Sequence, residues 1–504
     1  MQIFSSVMNH PYTAISTCCV AFVIGWLVHW VYRWMNPRCN GRLPPGSMSF
    51  PLVGETLRFF RASASIDMPC YYKERLKRYG PIFKTNLVGQ PLVVSLDPDM
   101  NRFIFQQEGK LFQSWYPETT NAIFGKKSIT TNSGAVHKFV RSFASKLFGT
   151  TNLKESLLPE LETTMRENLI TWAREPSIEV KDGISNMIFD LIAKKLIGLE
   201  PSKSRELRKS FQEFFQGMVS FPIYFPGTPF YRCMQGRTNL QKTLNGLLKE
   251  RLSVPEIKYN DLLDQIVEEL QSENLVIDVN FAVDALSALL FASFATLSST
   301  LAVGFKFLTD NPKVVKELKE EHTKILNKRD DQNSGFTWEE YKSLIFTPQV
   351  INEITQIGNV APGIFRKTLA DVQVNGYTIP AGWLVMISPM AVHLNPKLFE
   401  APLEFNPWRW KAAILKVTSN LLTYNNGAKW QVQDETKRSE LLRNYMPFGG
   451  GIRLCLGADF SKLFFALFFH ILVTEYRRSK EEMSWRISEI IFPQGYHIQL
   501  IPQT

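Results

Sequence analysis

The feature that most constrains this chain is the glycine-rich run FGGGIRLCLG at residues 448–457. Its three consecutive glycines, Gly449 to Gly451, let the backbone take positive φ angles and approach a flat ligand closely. Cys455 follows them and stands just before an apolar helical pattern at residues 460–472. We therefore predict that Cys455 lies in a tight loop at the start of a helix. The free N–H groups and the positive dipole end of that helix would favour a thiolate over a thiol.

A single thiolate held on such a loop suits the axial position of a haem iron. The run resembles the haem-ligand signature of the cytochrome P-450 monooxygenases, F-x-x-G-x-R-x-C-x-G, at five positions: Phe448, Gly451, Arg453, Cys455 and Gly457. A lone cysteine after glycines is more often a buried structural thiol, but five matched positions followed by a helix favour the haem interpretation. The resemblance implies that Cys455 is the proximal ligand of heme b (iron protoporphyrin IX). It also implies that Phe448 packs beside the sulfur and that Arg453 pairs with a haem propionate.

Length and composition favour one large, mostly helical domain. The 504 residues exceed the usual size of a single domain, yet no Ser/Gly linker or charge run divides the chain after residue 50. Hydrophobic residues make up 45% of the chain, and its 37 phenylalanines allow a large core. The predicted fold class is mainly α with minor β sheets. The resemblance implies the cytochrome P-450 fold, preceded by one N-terminal transmembrane helix.

The formal net charge of +10 indicates an anionic partner. Without a compact Lys/Arg cluster or an aromatic stacking motif, nucleic acid is a poor explanation for this charge. Anionic lipid headgroups and an acidic redox partner explain it better. The cysteines show neither CxxC nor CxxCH spacing and nothing that resembles a zinc site, which fits a reducing compartment rather than a disulfide framework. They are Cys18, Cys19, Cys39, Cys70, Cys233 and Cys455.

Residues 13–32 are nearly uncharged and long enough to cross a bilayer as a helix. The alternative is a cleaved signal peptide, but no Lys or Arg precedes Arg33, and tryptophans here suit an interface anchor. Basic residues follow the segment, so the positive-inside rule places the body of the protein in the cytosol. We predict a single-pass protein of the endoplasmic reticulum membrane. Its parts are a lumenal N-terminus (1–12), a signal anchor (13–32), a basic, proline-rich hinge (33–50) and a haem-thiolate catalytic domain (51–504).

Two strand pairs are predicted, one between residues 82–86 and 92–96 and one between 371–374 and 377–379. Asn375-Gly376 is the strong two-residue hairpin signal in the second pair. Two patterns mark helix starts: Thr337 with Glu340 is typical of a capping box, and Thr347 before Pro348 is an N-cap candidate. Helical periodicity is clear elsewhere. It covers residues 136–147, 157–172, 240–252, 281–308, 312–327 and 347–356.

Residues 281–308 are apolar nearly all round, which is typical of a helix through the middle of a large protein. From composition alone, plain core is the favoured interpretation. Ala292 to Thr296 resembles the family's small-small-x-acid-Thr motif, which implies that Thr296 is the catalytic hydroxyl that hydrogen-bonds dioxygen. The chain departs from the motif at Ala295, where most members carry the acid that relays protons. We therefore expect slower or less coupled turnover.

Several cations resemble contacts to the haem propionates. His137 and Arg141 are four residues apart, hence on one helix face, where the family has W-x-x-x-R. Arg366, four residues after Pro362, resembles another propionate contact. A buried haem with two carboxylates needs cationic partners.

Glu353 and Gln356 align with the family's E-x-x-R, and Arg409 aligns with the arginine that completes a Glu-Arg-Arg network behind the haem. Gln356 replaces the first arginine, which is the most serious departure in the chain. Removing one partner of a buried ion pair costs about 3–5 kcal/mol when the other is stranded. Because Gln356 can hydrogen-bond Glu353 and Arg409 can neutralise it, we expect the lower end of that range or less. A second departure is the long segment 411–443, whose polar part at 423–440 is predicted to be a loop.

The short sequence segments at residues 43–47, 377–383 and 405–410 most resemble the corresponding segments of plant members of one clan. That clan oxidises sterols, brassinosteroids and triterpenoids. The resemblance implies a monooxygenase that inserts one oxygen atom from O2 into a lipophilic, sterol- or triterpenoid-like substrate. Electrons would come from NADPH through a flavoprotein reductase. The main alternative is a catalytically impaired or inactive haem-binding paralogue, motivated by Gln356, Ala295 and the 411–443 insertion. A non-enzymatic membrane protein that docks through its basic face is a third.

Four residues are candidates for the substrate pocket, although each segment that carries them is more often core or loop. They are Tyr116, Phe291, Phe294 and Ile364. The Phe- and Pro-rich stretch 218–230 could dip into the membrane and admit a lipophilic substrate.

Overall fold

The computed structural model describes most of the chain between residues 11 and 502. Positions 1–10, 52, 62, 64, 126–133, 219, 221, 255, 260, 273–276, 332–333, 362, 412–431, 480–484, 487–489, 493 and 503–504 lie outside the described part. The described chain is mostly α-helix with small β sheets, so the predicted fold class is confirmed.

The helices are α1 (Pro11–Met35), α2 (Thr56–Phe59), α3 (Cys70–Tyr79), α4 (Pro98–Gln106), α5 (Glu118–Phe124), α6 (Gly134–Phe148), α7 (Thr150–Asn152), α8 (Leu158–Arg174), α9 (Val180–Ile197), α10 (Pro201–Met218), α11 (Pro229–Ser253), α12 (Leu262–Leu270), α13 (Val279–Asp310), α14 (Pro312–Leu326), α15 (Trp338–Ser343), α16 (Phe346–Gly358), α17 (Pro389–His393), α18 (Val432–Asn444) and α19 (Ala458–Glu475). A π-helical turn (Leu153–Leu157) joins α7 to α8, and 3-10 turns occupy Pro407–Trp410 and Gly451–Arg453. The strands are β1 (Ile82–Leu87), β2 (Gln90–Ser95), β3 (Phe112–Ser114), β4 (Ile178–Glu179), β5 (Ile364–Thr368), β6 (Val372–Val374), β7 (Tyr377–Ile379), β8 (Leu384–Ile387), β9 (Tyr476–Ser479), β10 (Trp485–Arg486), β11 (Ile490–Ile491) and β12 (His497–Pro502).

The chain divides into two compact units, of which the smaller comprises Met1–Arg61, Cys70–Gln113 and Phe365–Ile387. Its main sheet has the strand order β1-β2-β8-β5-β3. Strands β1 and β2 are antiparallel, whereas β2 and β8 are parallel. Consecutive residues of β2 and β8 are buried, so both faces of the sheet are covered, as is usual for parallel pairs.

Both predicted hairpins are present in the smaller unit. The turn between β1 and β2 places Val88 and Gly89 at positive φ angles of 51° and 77°. The turn between β6 and β7 does the same with Asn375 (50°) and Gly376 (75°). Two successive positive φ angles match the right-handed twist of the flanking strands, which is why two-residue turns of this kind close hairpins.

The larger unit comprises Ala62–Pro69, Ser114–Ile364 and Ser388–Thr504. Helix α13 runs through its hydrophobic core, and most of its residues are buried. The Asp278 carboxylate caps the start of α13 by accepting a hydrogen bond from the Phe281 N–H at 2.7 Å. A Cβ atom at Gly304 would lie 3.1 Å from Cδ1 of Ile354 on α16, so the glycine permits the close approach of these two helices.

The two predicted helix starts have different outcomes. Thr337 and Glu340 form the predicted capping box at the start of α15. The prediction that Thr347 is an N-cap is wrong, because α16 begins one residue earlier, at Phe346. The first N–H groups of α16 instead donate to the Glu321 carboxylate of α14, at 2.6 Å from Ile345, 2.7 Å from Phe346 and 2.9 Å from Thr347. A carboxylate at a helix N-terminus also compensates the positive end of the dipole.

The prediction of a loop at residues 423–440 is wrong for its second part, because α18 covers Val432–Asn444. The first part lies outside the described residues. The polar, mixed-charge composition that suggested a loop is also compatible with a solvated helix.

Helix α1 is long and apolar enough to cross a membrane over Ile15–Met35, and none of that window is buried in the protein. Helix α13 passes the same length and hydropathy test, but 78% of its window is buried. Since a core helix passes this test as readily as a membrane helix, α1 is the better candidate for a membrane span.

Two buried histidines join α14 to α19 in the larger unit. His322 and His470 are almost completely inaccessible to solvent, and their Nδ1 atoms lie 3.1 Å apart. The Nε2 atom of His322 lies 3.0 Å from the Thr347 hydroxyl. Burial lowers the pKa of His322 to about 4, against a smaller opposing effect of Glu321. Burial, followed by the charges of His322, Arg329 and Arg166, lowers the pKa of His470 to about 2.

We expect this pair to make folding sensitive to acid. Because the folded pKa values lie below the unfolded value near 6.5, the folded protein binds fewer protons, and stability is lost as the pH falls from about 6.5 towards 4. At pH 5 the loss is about 2 kcal/mol for each histidine. Urea unfolding at pH 7.5, 6.5 and 5.0 would measure it. His470→Phe should flatten the pH dependence and the exposed His497→Gln should not; equal slopes in all three proteins would contradict this account.

Candidate active site

The loop at residues 446–457 closes on itself through backbone hydrogen bonds. The N–H of Cys455 donates to the carbonyl of Phe448 at 3.0 Å, and the N–H of Gly449 donates to the carbonyl of Met446 at 3.1 Å. Gly449 and Gly451 have φ angles of 74° and 65°, a region that favours glycine. The prediction of positive φ is wrong for the glycine between them, Gly450, whose backbone is extended at −169°.

Cys455 lies three residues before the start of α19, as the sequence predicts, and its side chain is exposed. Although Cys455 is accessible, the protein atoms around its sulfur displace water and raise the pKa of the thiol, while a backbone hydrogen bond from Gly457 and the charge of Arg141 act in the opposite direction. The Gly457 N–H at the helix start thus acts in the predicted direction, towards the thiolate, and desolvation opposes it. Coordination to a metal cation deprotonates a thiol outright. All six cysteines are free thiols.

Arg141 fastens the Cys455 loop to helix α6. Its Nη1 atom donates to the carbonyl of Ile452 at 3.1 Å and to the carbonyl of Leu454 at 2.9 Å. His137 lies one helical turn earlier on α6 and is half-buried, as is Arg453 in the 3-10 turn of the loop. The structure thus brings Arg141 to the segment that carries Cys455, which sequence spacing alone did not reveal.

Helix α13 presents an accessible strip in the middle of its mostly buried length. Ala292 and Thr296 are exposed, and the four-residue spacing places them on the same face. The hydroxyl of Thr296 donates to the carbonyl of Ala292 at 3.1 Å. Ala295, at the position of the family's acid, is half-buried and packs against the hydrophobic core.

Aromatic side chains from four helices pack together beside this strip. Phe291 lies 5.5 Å from Phe124 of α5 and 5.9 Å from Phe214 of α10, measured between ring centroids. Phe294 lies 5.4 Å from Phe189 of α9. Of the other pocket candidates, Tyr116 is half-buried between β3 and α5, and Ile364 is half-buried at the start of β5. Cδ1 of Ile364 would lie 3.5 Å from a Cβ placed on Gly449 of the cysteine loop.

Glu353 is fully buried on α16, and its carboxylate accepts three hydrogen bonds from the segment 406–410. The donors are the backbone N–H of Asn406 (2.8 Å), Nε of Arg409 (3.2 Å) and Nε1 of Trp410 (2.7 Å). Burial raises the pKa of Glu353 to about 7, and these donors, with Arg409 first, oppose the rise. Trp410 therefore supplies a donor in a network from which the family's first arginine is missing.

Gln356 does not contribute to that set of donors. Its Nε2 atom donates to the backbone carbonyl of His393 at 2.8 Å, and its Oε1 atom is buried with no partner among the described residues. His393 in turn accepts a hydrogen bond at Nε2 from the backbone N–H of Met446, at 3.0 Å. Burial lowers the pKa of His393 to about 3, so the ring is neutral and can accept this bond. The glutamine thus connects α16 to the beginning of the cysteine loop.

Arg366 lies in the smaller unit and is almost fully buried. Its guanidinium forms an ion pair with Glu108, which is equally buried. Nη1 of Arg366 also donates to the carbonyl of Phe365 at 2.8 Å. Pro362, which the family pattern pairs with this arginine, lies outside the described residues.

The residues of the larger unit fit a haem. The exposed Cys455 thiol is available as a ligand, the positive-φ glycines allow close approach of a flat group, and no atom lies within 4 Å of a Cβ placed on Gly457. Arg141 and Arg453 are the cations in this unit that would be available to pair with the propionates. Across the described chain, no group of three or more His, Cys, Asp or Glu could hold a metal ion directly.

Comparison with known proteins decides the family. The cytochrome P-450 family model matches residues 44–493. The chain belongs to the cytochrome P-450 family. It is accordingly a haem-dependent monooxygenase, and the fold and family predictions are confirmed.

Plant cytochromes P-450 resemble this one along nearly their whole length. The chain is 48% identical over 480 residues to cytochrome P-450 87A3 of Oryza sativa subsp. japonica, covering 94% of this chain and 89% of that one. It is 40% identical over 486 residues to the beta-amyrin 16-alpha-hydroxylase of Maesa lanceolata, covering 95% and 97%. It is 32% identical over 474 residues to a cholesterol 22-monohydroxylase of Paris polyphylla, covering 92% and 94%. The predicted resemblance to plant members that act on sterols and triterpenoids is confirmed.

A solved structure has the same fold. The retinoic acid-bound cyanobacterial CYP120A1 superimposes with a TM-score of 0.77 at 25% sequence identity. The match covers 92% of this chain and 100% of that one.

Sequence reasoning missed several residues of the site. Trp410 and His393 act through hydrogen bonds to residues 57 and 37 positions away. Glu108, which precedes β3, pairs with Arg366 on β5. Such long-range partners leave no periodic pattern. One feature of the sequence could have indicated Trp410. Because Gln356 stands where the family has an arginine, the Glu353 carboxylate needs a donor from elsewhere in the chain.

We expect Trp410→Phe to destabilise the protein by about 1.5–3 kcal/mol, because it removes a donor from a buried carboxylate. The matched control is Trp408→Phe in the same 3-10 turn, where Nε1 donates to Glu317 at an exposed site. The control should cost less than about 0.5 kcal/mol. Urea unfolding at pH 7.5 measures both. Equal losses would show that Trp410 contributes packing rather than a hydrogen bond.

We expect Arg141→Ala to weaken haem retention, because the carbonyls of Ile452 and Leu454 lose their donor and the loop loosens. The ratio of haem to protein absorbance after gel filtration would measure it. Arg141→Lys should recover part of the loss, and Lys138→Ala, on the exposed face of the same helix, should have no effect. Haem retention unchanged in Arg141→Ala would contradict a role for Arg141 in holding the loop.

Proposed function

We propose that this cytochrome P-450 hydroxylates a sterol- or triterpenoid-like substrate. One atom of O2 enters a C–H bond to give an alcohol and the other leaves as water, while NADPH supplies two electrons. These electrons would arrive through a flavoprotein reductase in the endoplasmic reticulum membrane. The observation that carries the proposal is the 40% identity, over 95% of the chain, to a protein named as a beta-amyrin hydroxylase. A cucurbitadienol 11-hydroxylase of Siraitia grosvenorii, at 37% identity over 95% of the chain, supports the same substrate class.

Haem bound through a thiolate supplies the O2-activating chemistry. In the proposed roles, Cys455 is the iron ligand, Phe448 packs beside its sulfur, and Gly451 and Gly457 leave room for the macrocycle. Arg141, Arg453 and His137 would face the propionates. Arg366 would join them, since a guanidinium has five N–H donors and can bind a second carboxylate beside Glu108.

The accessible strip of α13 would line the reaction space. Thr296 would hold a proton at its hydroxyl for delivery to dioxygen. Because Ala295 cannot relay a proton, the supply would depend on this hydroxyl and on water. Phe291, Phe294, Tyr116 and Ile364 would exclude bulk water and contact the apolar body of the substrate, which fits the mostly hydrophobic lining of such sites.

The alternative of an impaired paralogue rests on Gln356, Ala295 and the 411–443 insertion. The Gln356 argument is weakened, because Asn406, Arg409 and Trp410 leave the Glu353 carboxylate with three donors. Glu353 and Arg409 would therefore brace the fold without the E-x-x-R arginine that Gln356 replaces.

The anchor would follow the predicted arrangement, with a lumenal N-terminus (1–12), a single span (13–32), a hinge (33–50) and a cytosolic catalytic domain (51–504). The exposure of α1 supports this proposal.

Microsomes that carry the protein and a plant reductase, supplied with NADPH and a panel of sterols and cyclised triterpenes, test the function. We expect a thiolate-type spectrum of the reduced CO complex and at least one hydroxylated product. Cys455→Ser should abolish the thiolate-type spectrum and lower product to the background of microsomes without the protein. A normal spectrum without product from any substrate would favour the impaired alternative, and an unchanged spectrum in Cys455→Ser would overturn the ligand assignment.

A further inference from the structure

A charged cluster in the larger unit lies where α5, α11 and α13 meet. Asp284 of α13 and Arg237 of α11 form an ion pair, in which Nη2 of Arg237 donates to Oδ1 of Asp284 at 3.2 Å. Gln241, one turn further along α11, donates from Nε2 to the same oxygen at 2.9 Å. The Asp284 side chain is 15% exposed and the Arg237 side chain 20%. A guanidinium and an amide thus converge on a carboxylate that the proposed reaction does not use.

The same arginine caps the end of α5. Helix α5 has only seven residues, and a helix this short is marginal without outside contacts. The carbonyl of Ile123 belongs to its last turn, where carbonyl groups lack a partner within the helix. Nε of Arg237 donates to that carbonyl at 2.8 Å, and a cation at this end also compensates the negative end of the helix dipole. The guanidinium therefore fixes the end of α5 to α11 while it pairs with α13.

Gly125 lets the chain leave α5 directly over the Asp284 carboxylate. Its φ angle is 95°, in the region that favours glycine. A Cβ atom on Gly125 would lie 1.8 Å from Oδ2 of Asp284, so no other residue fits there unless the carboxylate moves. Burial raises the pKa of Asp284, and the charge of Arg237 is the first of the effects that oppose the rise. Arg237 therefore favours the charged form of Asp284 in the space that Gly125 leaves for it.

Phe124, the last residue of α5, connects the cluster to the pocket candidates. It is buried, and its ring centroid lies 5.5 Å from that of Phe291 on α13 and 5.4 Å from that of Phe214 on α10. Phe291 lies two helical turns after Asp284, on the same face of α13. It also lies five residues before Thr296, about 8 Å along the helix axis. Phe124, Phe214 and Phe291 thus form an aromatic wall beside the accessible strip of α13, and the place of Phe124 in this wall depends on the end of α5.

We propose that Arg237 and Asp284 are positioning residues for substrate binding. They hold the end of α5 against α11 and α13, and Phe124 thereby completes the aromatic wall that a rigid, apolar polycyclic substrate lies against. Aromatic rings suit such a substrate because each ring buries a large apolar area. Neither charged residue touches the substrate, since both act through Phe124. The inference rests on the proposed substrate class and on the proposed place of the substrate beside α13.

Binding of two imidazoles of different size to the full-length, haem-loaded protein tests this role. Imidazole and clotrimazole both bind haem iron through a ring nitrogen, but clotrimazole also carries three aromatic rings that extend from the iron into the pocket. The shift of the haem absorbance band gives both dissociation constants. We expect Arg237→Met, which keeps an unbranched side chain, to weaken clotrimazole binding about tenfold or more and to change imidazole binding less than about twofold. Unchanged clotrimazole binding, or equal weakening of both ligands, would overturn the proposal.

A second ion pair of α11 provides the matched control. Arg251 pairs with Asp261 at 2.7 Å and lies 14 residues after Arg237, about 21 Å along the helix. Arg251→Met should lower the thermal midpoint of unfolding at least as much as Arg237→Met, because this pair is more deeply buried. It should leave the ratio of the two dissociation constants unchanged. A similar change of that ratio in both variants would assign the effect to lost stability and overturn the role of Phe124.

The two positioning residues should act through one contact. We expect Asp284→Asn to shift the ratio of dissociation constants in the same direction as Arg237→Met, and the double variant to shift it no further than the worse single variant. Arg237→Lys should recover part of the clotrimazole binding, since it restores the charge but not the fork of donors. Additive losses in the double variant would overturn the shared role. The titrations need neither turnover nor the natural substrate, so a failure here is distinct from a failure of the proposed hydroxylation.

Discussion

The larger unit depends on the buried carboxylate of Glu353, which must be paired with hydrogen-bond donors. Glu353 has lost contact with water, and burying such a group is costly unless donors replace the water. Helix α16 and the segment 406–410 meet at this carboxylate, and Gln356, one turn further along α16, connects through His393 to Met446 at the start of the cysteine loop. Helix α16 thus carries both the buried carboxylate and the glutamine that links the helix to the cysteine loop. Trp410 donates its indole N–H to this carboxylate in a chain where Gln356 stands at the position of the family's E-x-x-R arginine.

Local patterns explain which parts were predictable from sequence. The hairpin at Asn375-Gly376, the capping box at Thr337 and the loop before α19 each depend on residues within a few positions of one another. The start of α16 was mispredicted because its cap comes from Glu321, 26 positions before Thr347. Gly450 was mispredicted because a run of glycines permits several backbone shapes, and the hydrogen bonds of the loop select among them.

For the site, the residue types could be predicted from the sequence, but their hydrogen-bond and ion-pair partners could not. Cys455 and Thr296 could be proposed as site residues because a motif surrounds each of them. Arg141 was expected to serve a ligand, whereas its hydrogen bonds in the protein go to the carbonyls of the cysteine loop. Arg366 was expected to be available to a ligand and instead shares its charge with Glu108. An arginine side chain has five N–H donors, so a motif that predicts one of its partners leaves the others unpredicted.

The pairing of Gly46 with Lys84 has a consequence for any shortened form of the protein. Strand β1 is the outer strand of its sheet, and an outer strand offers unpaired backbone groups to other chains. The segment that follows α1 covers part of that strand at Gly46. Only a glycine permits this close approach, because a Cβ atom on Gly46 would lie 2.0 Å from the Lys84 carbonyl oxygen. Truncation at Met35 leaves this cover in place. Truncation beyond Gly46 exposes the backbone groups of β1, and these can pair with another chain and cause aggregation. This effect opposes the gain in solubility from removing α1.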